Sequence, residues 1–131
     1  MSQPAYFDQS GEMSSEPGRW VSVHDMDPLL PMAGLEFRPV TTESVMLNHV
    51  TFAPDAPAPI HHHFEQQIAI VLSGVLHFTV GGEERAMQAG DCVVIPPHVP
   101  HGGHAGPEGC TVIDTFTPPR EGIVKMMGGA G

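Results

Sequence analysis

The chain has 131 residues, a formal net charge of −10, nine histidines and only five cationic side chains, Arg19, Arg38, Arg85, Arg120 and Lys125. So few cations exclude a basic face for nucleic acid or for an anionic membrane surface, and no apolar run reaches transmembrane length. With 40% hydrophobic residues, 15 glycines and 14 prolines, the composition suits one domain of short strands and many turns, large enough to bury a core without disulfides.

Residues 1–18 are polar and read as a flexible leader. They lack a charged segment followed by an apolar one, so no secretory signal is expected. Cys92 and Cys110 then read as reduced thiols of a cytoplasmic protein. Ser44 to Phe52 reads as a strand, broken by residues 54–59 with their three prolines. Gln67 to Leu72 is the next, stopped by Ser73-Gly74, and Val75 to Val80 follows, stopped by Gly81-Gly82. Glu84 to Gln88 leads to a turn at Ala89-Gly90-Asp91. Cys92 to Ile95 ends at Pro96-Pro97, and Thr111 to Thr117 ends at Pro118-Pro119. The expected division is a leader over 1–18, a domain over 19–125 and a flexible tail over 126–131. Short strands at this spacing predict an all-β sandwich or barrel. The run Ile68 to Leu72 is apolar on both of its faces, which predicts cover on the outside, most simply by a second copy in a homodimer.

His61 and His63 are two apart just before a strand, so on extended chain they project to the same side, and Gln67 keeps that parity. His101 follows another strand and a double proline. Three imidazoles and one carboxamide oxygen converging inside a barrel would hold one divalent metal ion, with zinc the first choice and nickel, iron or manganese the alternatives. His49, His62, His98 and His104 are spare histidines that could add to such a site.

The stretch from Pro54 to His101 resembles the two motifs of the cupin superfamily. His61-x-His63, three residues, Gln67, six residues and Gly74 follow the spacing of the first. Gly90, five residues, Pro96-Pro97-His98, two residues and His101 follow the second. Three positions depart from the pattern: Asp55 and His98 stand where glycines belong, and Gln67 replaces the usual glutamate. The glutamine leaves the ligand set neutral, so the metal keeps its full charge and is the stronger Lewis acid. The resemblance implies a single-domain cupin, a double-stranded β-helix or jelly-roll barrel.

On the last strand, alternation places Val112, Asp114 and Phe116 on one face, and Arg120 follows just beyond Pro118-Pro119. An acid among apolar neighbours belongs in a cleft rather than on an outer face. The core over residues 34–123, above all EQQIAIVLSGVLHF, GDCVVIPPHVPH and VIDTFTPPRE, resembles the small pectin-degradation cupins, which open the ring of unsaturated uronates. That resemblance implies metal ligation by His61, His63, Gln67 and His101, with Asp114, Phe116 and Arg120 as catalytic residues. Single-domain cupin polyketide cyclases look similar as well and carry the same ligand set. Both imply a small-molecule substrate and a metal-dependent isomerase or cyclase without redox chemistry. A metal-dependent dioxygenase and a non-catalytic ligand-binding cupin are the further alternatives.

Overall fold

The computed structural model describes residues 5–128. Residues 1–4 of the expected leader and 129–131 of the expected tail lie outside the described residues. The described leader is exposed through residue 22, with a single 3-10 turn at Ala5–Phe7.

Seven strands follow: β1 (Leu35–Thr41), β2 (Met46–Phe52), β3 (Pro57–His61), β4 (Gln66–Val80), β5 (Glu83–Met87), β6 (Cys92–Ile95) and β7 (His101–Thr117). A short helix, α1 (Glu121–Met126), closes the described chain. All strand pairs are antiparallel, in the order β1-β2-β7-β4-β5, with β3 added to β7 and β6 added to β4. The two long strands β4 and β7 lie side by side and form the spine. Their outer parts, Gln66–Gly74 and Cys110–Thr117, pair with each other and carry β6 and β2. Their other parts, Leu76–Val80 and His101–Ala105, also pair and carry β5 and β3. Two walls therefore share one pair of strands, and the space between them is the barrel lumen. This is an all-β barrel, as the strand pattern predicts, in the single-domain jelly-roll form that the resemblance implies.

The structure corrects several strand boundaries. Ser73-Gly74 does not end a strand; β4 runs through it with a shift of register against β7. Gly74 sits at φ +74, and a Cβ there would meet the Gly109 carbonyl oxygen and lie 2.8 Å from Cys110 Cα. A glycine signal that reads locally as a turn is a bulge that bends the strand from one wall into the other. Likewise β7 begins ten residues before Thr111, at His101, through a glycine-rich stretch with weak strand propensity. Residues 57–61 form β3 despite Pro57 and Pro59. Among the described residues β3 pairs with β7 alone, so a proline without an N–H is tolerated on its open edge.

Ala69 and Val71 of β4, Leu76 and Phe78 beyond the bulge, Val50 of β2 and Val112 of β7 are buried in the main core. On β4 the alternation puts Gln67, Ala69 and Val71 inward, while Ile68 and Leu72 stay exposed on the outer face. Ile123 of α1 packs with Met46 and Phe116, which ties the helix to one end of the barrel. Cys92 is exposed and Cys110 buried, both free, and burial pushes the Cys110 thiol up to about 11. No helix among the described residues is long and apolar enough to cross a membrane.

Candidate metal centre

His61 ends β3 and His101 begins β7, and the two are register partners across the β3–β7 pair. His63 lies in the connection to β4, and Gln67 is the second residue of β4. One nitrogen from each of His61, His63 and His101 falls within 4.8 Å of the others. Gln67 Oε1 lies 3.1 Å from His63 Nε2 and completes the cluster.

The hydrogen bonds select the tautomers. His61 Nδ1 faces the Pro59 carbonyl at 2.9 Å, His63 Nδ1 the Glu65 carbonyl at 2.9 Å and His101 Nδ1 the Val99 carbonyl at 2.8 Å. A carbonyl can only accept, so each Nδ1 carries the proton and each Nε2 keeps a lone pair. Gln67 Nε2 donates to Asp114 Oδ1 at 2.9 Å, which turns its amide oxygen towards His63. Two lone pairs, on His63 Nε2 and Gln67 Oε1, thus face one another. His101 Nε2 is buried with no hydrogen-bond partner among the described residues. Acceptors gathered without a donor fit a cation, and neutral nitrogen and oxygen donors fit a borderline divalent ion. Burial, followed by the charge of Arg120, holds His63 below the ordinary histidine range, and burial brings His101 down to about 4. Both are therefore neutral near pH 7, as ligation requires.

Asp114 points into the same lumen. The cavity has a volume of about 270 Å³, and its wall includes His61, His63, Gln67, His101, Asp114 and Arg120. Burial raises the Asp114 carboxyl to about 7, with the Gln67 hydrogen bond opposing the rise. Phe116 lines the cavity too, its ring centroid 5.6 Å from that of His63. Arg120 precedes α1 and reaches back towards Glu65, with Nη1 3.8 Å from Oε1. The rest of the lining is largely apolar, including Leu35, Phe37, Phe52, Leu76 and Phe78.

The spare histidines lie elsewhere. His62 and His98 face each other with Nδ1 atoms 3.4 Å apart, His104 stacks on His77 at 4.8 Å, and His49 occupies the face of β2 opposite to Asn48. Asp55 and His98, at the motif's glycine positions, have φ +60 and +64, so the left-handed turns persist without glycine.

Two residues escaped the sequence reading. Glu65 is buried, and its carboxylate accepts the Glu121 backbone N–H at 2.7 Å. Burial raises its pKa, but hydrogen bonds from the Glu121 and Glu65 backbone and the Arg120 charge outweigh that and hold it below the ordinary range. It links the His63 loop to α1. Asn48 is 1% exposed on the lumen side of β2. Its signal was present in the sequence, as a polar residue at an inward position among Met46, Val50 and Phe52.

The cupin domain family model matches residues 48–116. The pectin degradation protein KdgF of Dickeya dadantii (strain 3937) is 34% identical over 80 residues, covering 60% of this chain and 73% of that protein. The solved structure of KdgF from Halomonas sp. superposes with a TM-score of 0.77 at 29% identity, covering 82% of this chain and 99% of that one. The polyketide cyclase RemF from Streptomyces resistomycificus superposes with a TM-score of 0.68 at 19% identity, covering 79% of this chain and 81% of that one, a likeness of fold alone.

Proposed function

The chain belongs to the cupin family, and on that premise we propose that it is a metal-dependent, non-redox enzyme that opens the ring of a small unsaturated uronate. One observation carries this reading: the Asp114 carboxyl, held by Gln67, shares one cavity with three metal-ready imidazoles and the Arg120 guanidinium. His61, His63, Gln67 and His101 would hold the ion, with zinc as first choice. A bound divalent ion supplies a Lewis acid that polarises a substrate oxygen. Arg120 binds the substrate carboxylate through its planar fork of donors. Asp114 takes the proton of the anomeric hydroxyl as the bond from that carbon to the ring oxygen breaks. The ring oxygen leaves as an enolate, and the proton returns at the far carbon of its double bond, which gives a ketone with no net gain or loss of atoms. Gln67 fixes the carboxyl's position, and the Phe116 ring with the apolar lining keeps bulk water away.

The likeness to a pectin-degradation protein supports this substrate class. The volume supports it too: about 270 Å³ lies just under the range of ligand pockets, roughly 300–1,000 Å³, and suits one sugar ring better than an extended chain. The apolar lining favours a second reading, cyclisation of a polyketide by aldol condensation. An assay separates them. The zinc-loaded protein should consume unsaturated galacturonate monomer, with loss of its ultraviolet absorbance and appearance of the linear ketone by NMR. Arg120→Ala should raise KM about 10–100-fold and leave kcat within a few-fold, because a charge-assisted bond to a carboxylate is lost. Consumption no faster than in a protein-free blank would remove the ring-opening reading.

We also propose that the protein works as a homodimer. Leu47, Ile68 and Val94 are 38%, 40% and 57% exposed and lie in one row across β2, β7, β4 and β6, with Thr115 between the first two. An apolar row on an outer sheet face is the surface a second copy would cover. Light scattering should give twice the chain mass of 14.0 kDa, and Ile68→Glu should give a folded monomer. A wild-type monomer at high concentration would refute the assembly.

A further inference from the structure

We infer that Asn48 is a specificity-determining residue that binds a hydroxyl group of the substrate beside Asp114. The inference rests on reading the lumen as a substrate site and adds what part of the substrate goes where. Asn48 is 1% exposed and lines the cavity. Among the described residues, neither its Oδ1 nor its Nδ2 has a hydrogen-bond partner. Buried amides in native proteins are almost always paired, so the partners of this one come from whatever fills the lumen. Its neighbours on the inner face of β2 are Met46 and Val50, both buried, so the amide stands alone in an apolar stretch.

Register places Asn48 directly opposite Asp114 across the β2–β7 pair. Directly opposed side chains on one face have Cβ atoms roughly 4.5–5.5 Å apart. Asp114 lines the same cavity; its Oδ1 accepts from Gln67 Nε2, and among the described residues no hydrogen bond engages its second oxygen. A donor and an acceptor on Asn48, next to an acceptor on Asp114, match a group that both donates and accepts. A hydroxyl does so; a carboxylate accepts only, and Arg120 already supplies its natural partner. The substrate is therefore a hydroxylated carboxylate, its acid end at Arg120 and a hydroxyl between Asn48 and Asp114.

Calorimetric titration of the zinc-loaded protein with two probes tests this without turnover. D-galacturonate carries ring hydroxyls and a carboxylate; cyclohexanecarboxylate carries a similar ring and charge without hydroxyls. Wild type should prefer galacturonate. Asn48→Leu keeps the branched shape and removes both polar atoms. It should weaken galacturonate about 10–100-fold, as expected when a buried hydroxyl loses its partner, and change cyclohexanecarboxylate by less than about threefold. Asn48→Ser, which retains a hydroxyl, should fall between them and carries the same test if the leucine variant does not fold. Equal losses for both probes, no loss for either, or no preference in wild type would overturn the inference. Intact Asn48-dependent discrimination without ring opening would sink the proposed reaction alone.

Discussion

Removing the metal from the loaded protein with a chelator lowers its melting temperature by roughly 10–20 °C. An ion that binds the folded state at about 1,000 times its Kd contributes ~4 kcal/mol, and in a domain of this size each kcal/mol moves the midpoint by about 4 °C. The sign follows from the tautomers. Three Nε2 lone pairs and the Gln67 oxygen converge where, among the described residues, no donor meets them and buried His101 Nε2 has no partner. Without a cation these acceptors face each other, so the folded state gains most from a positive charge at that point. A His61→Ala, His63→Ala double variant should lose the roughly one equivalent of metal found in wild type, together with the chelator-sensitive part of its stability. Gln67→Ala should keep the ion with weaker affinity. Metal analysis alongside thermal unfolding checks both, and a fully loaded double variant would rule the site out.

Asp114→Asn should reduce turnover by about 10²–10⁴-fold, the range for losing a general acid–base, while metal content stays at the wild-type level. Asparagine keeps an oxygen able to accept from Gln67 Nε2, so the ligand geometry survives and only proton transfer is lost. The same variant has a pH signature in the metal-free protein. Burial raises the Asp114 pKa from an ordinary 3.8 to about 7. A raised carboxyl favours folding in its protonated form, so its contribution is complete below about pH 4 and is lost as pH rises through about 7. Metal-free wild type should therefore lose stability relative to Asp114→Asn across that window. Parallel unfolding curves for the two, measured in chelator, would place Asp114 in water rather than in the lumen.

The sequence made the centre legible through parity. His61, His63 and Gln67 share one side of extended chain, and Val112, Asp114 and Phe116 share one side of β7; all six line the cavity. The course of β4 was hidden because Ser73-Gly74 has the composition of a turn, and only the Gly109 carbonyl packed against it shows that the chain must continue. β3 was missed for a related reason: its partner β7 is distant in sequence and supplies what a proline-rich segment lacks, whereas β1, which carries Pro39, pairs with its neighbour β2 across a short turn. Glu65, an acid beside a histidine run, carries no local signal of burial. Its burial comes from α1, whose first backbone N–H reaches the carboxylate from 56 residues away, and no local pattern encodes that meeting.

The shared spine also governs the order in which the barrel can be completed. β7 is the common partner of β2, β3 and β4, and it is the last strand among the described residues. As the polypeptide leaves the ribosome, β1–β2, β4–β5 and β4–β6 can form as separate antiparallel pairs. None of them can join β2 or β3 to β4 until residues 101–117 have emerged. Synthesis at about 5–20 residues per second then leaves apolar inner faces waiting for seconds before their closing strand arrives. The barrel consequently closes after translation of nearly its whole length, and His61 meets His101 only at that final stage.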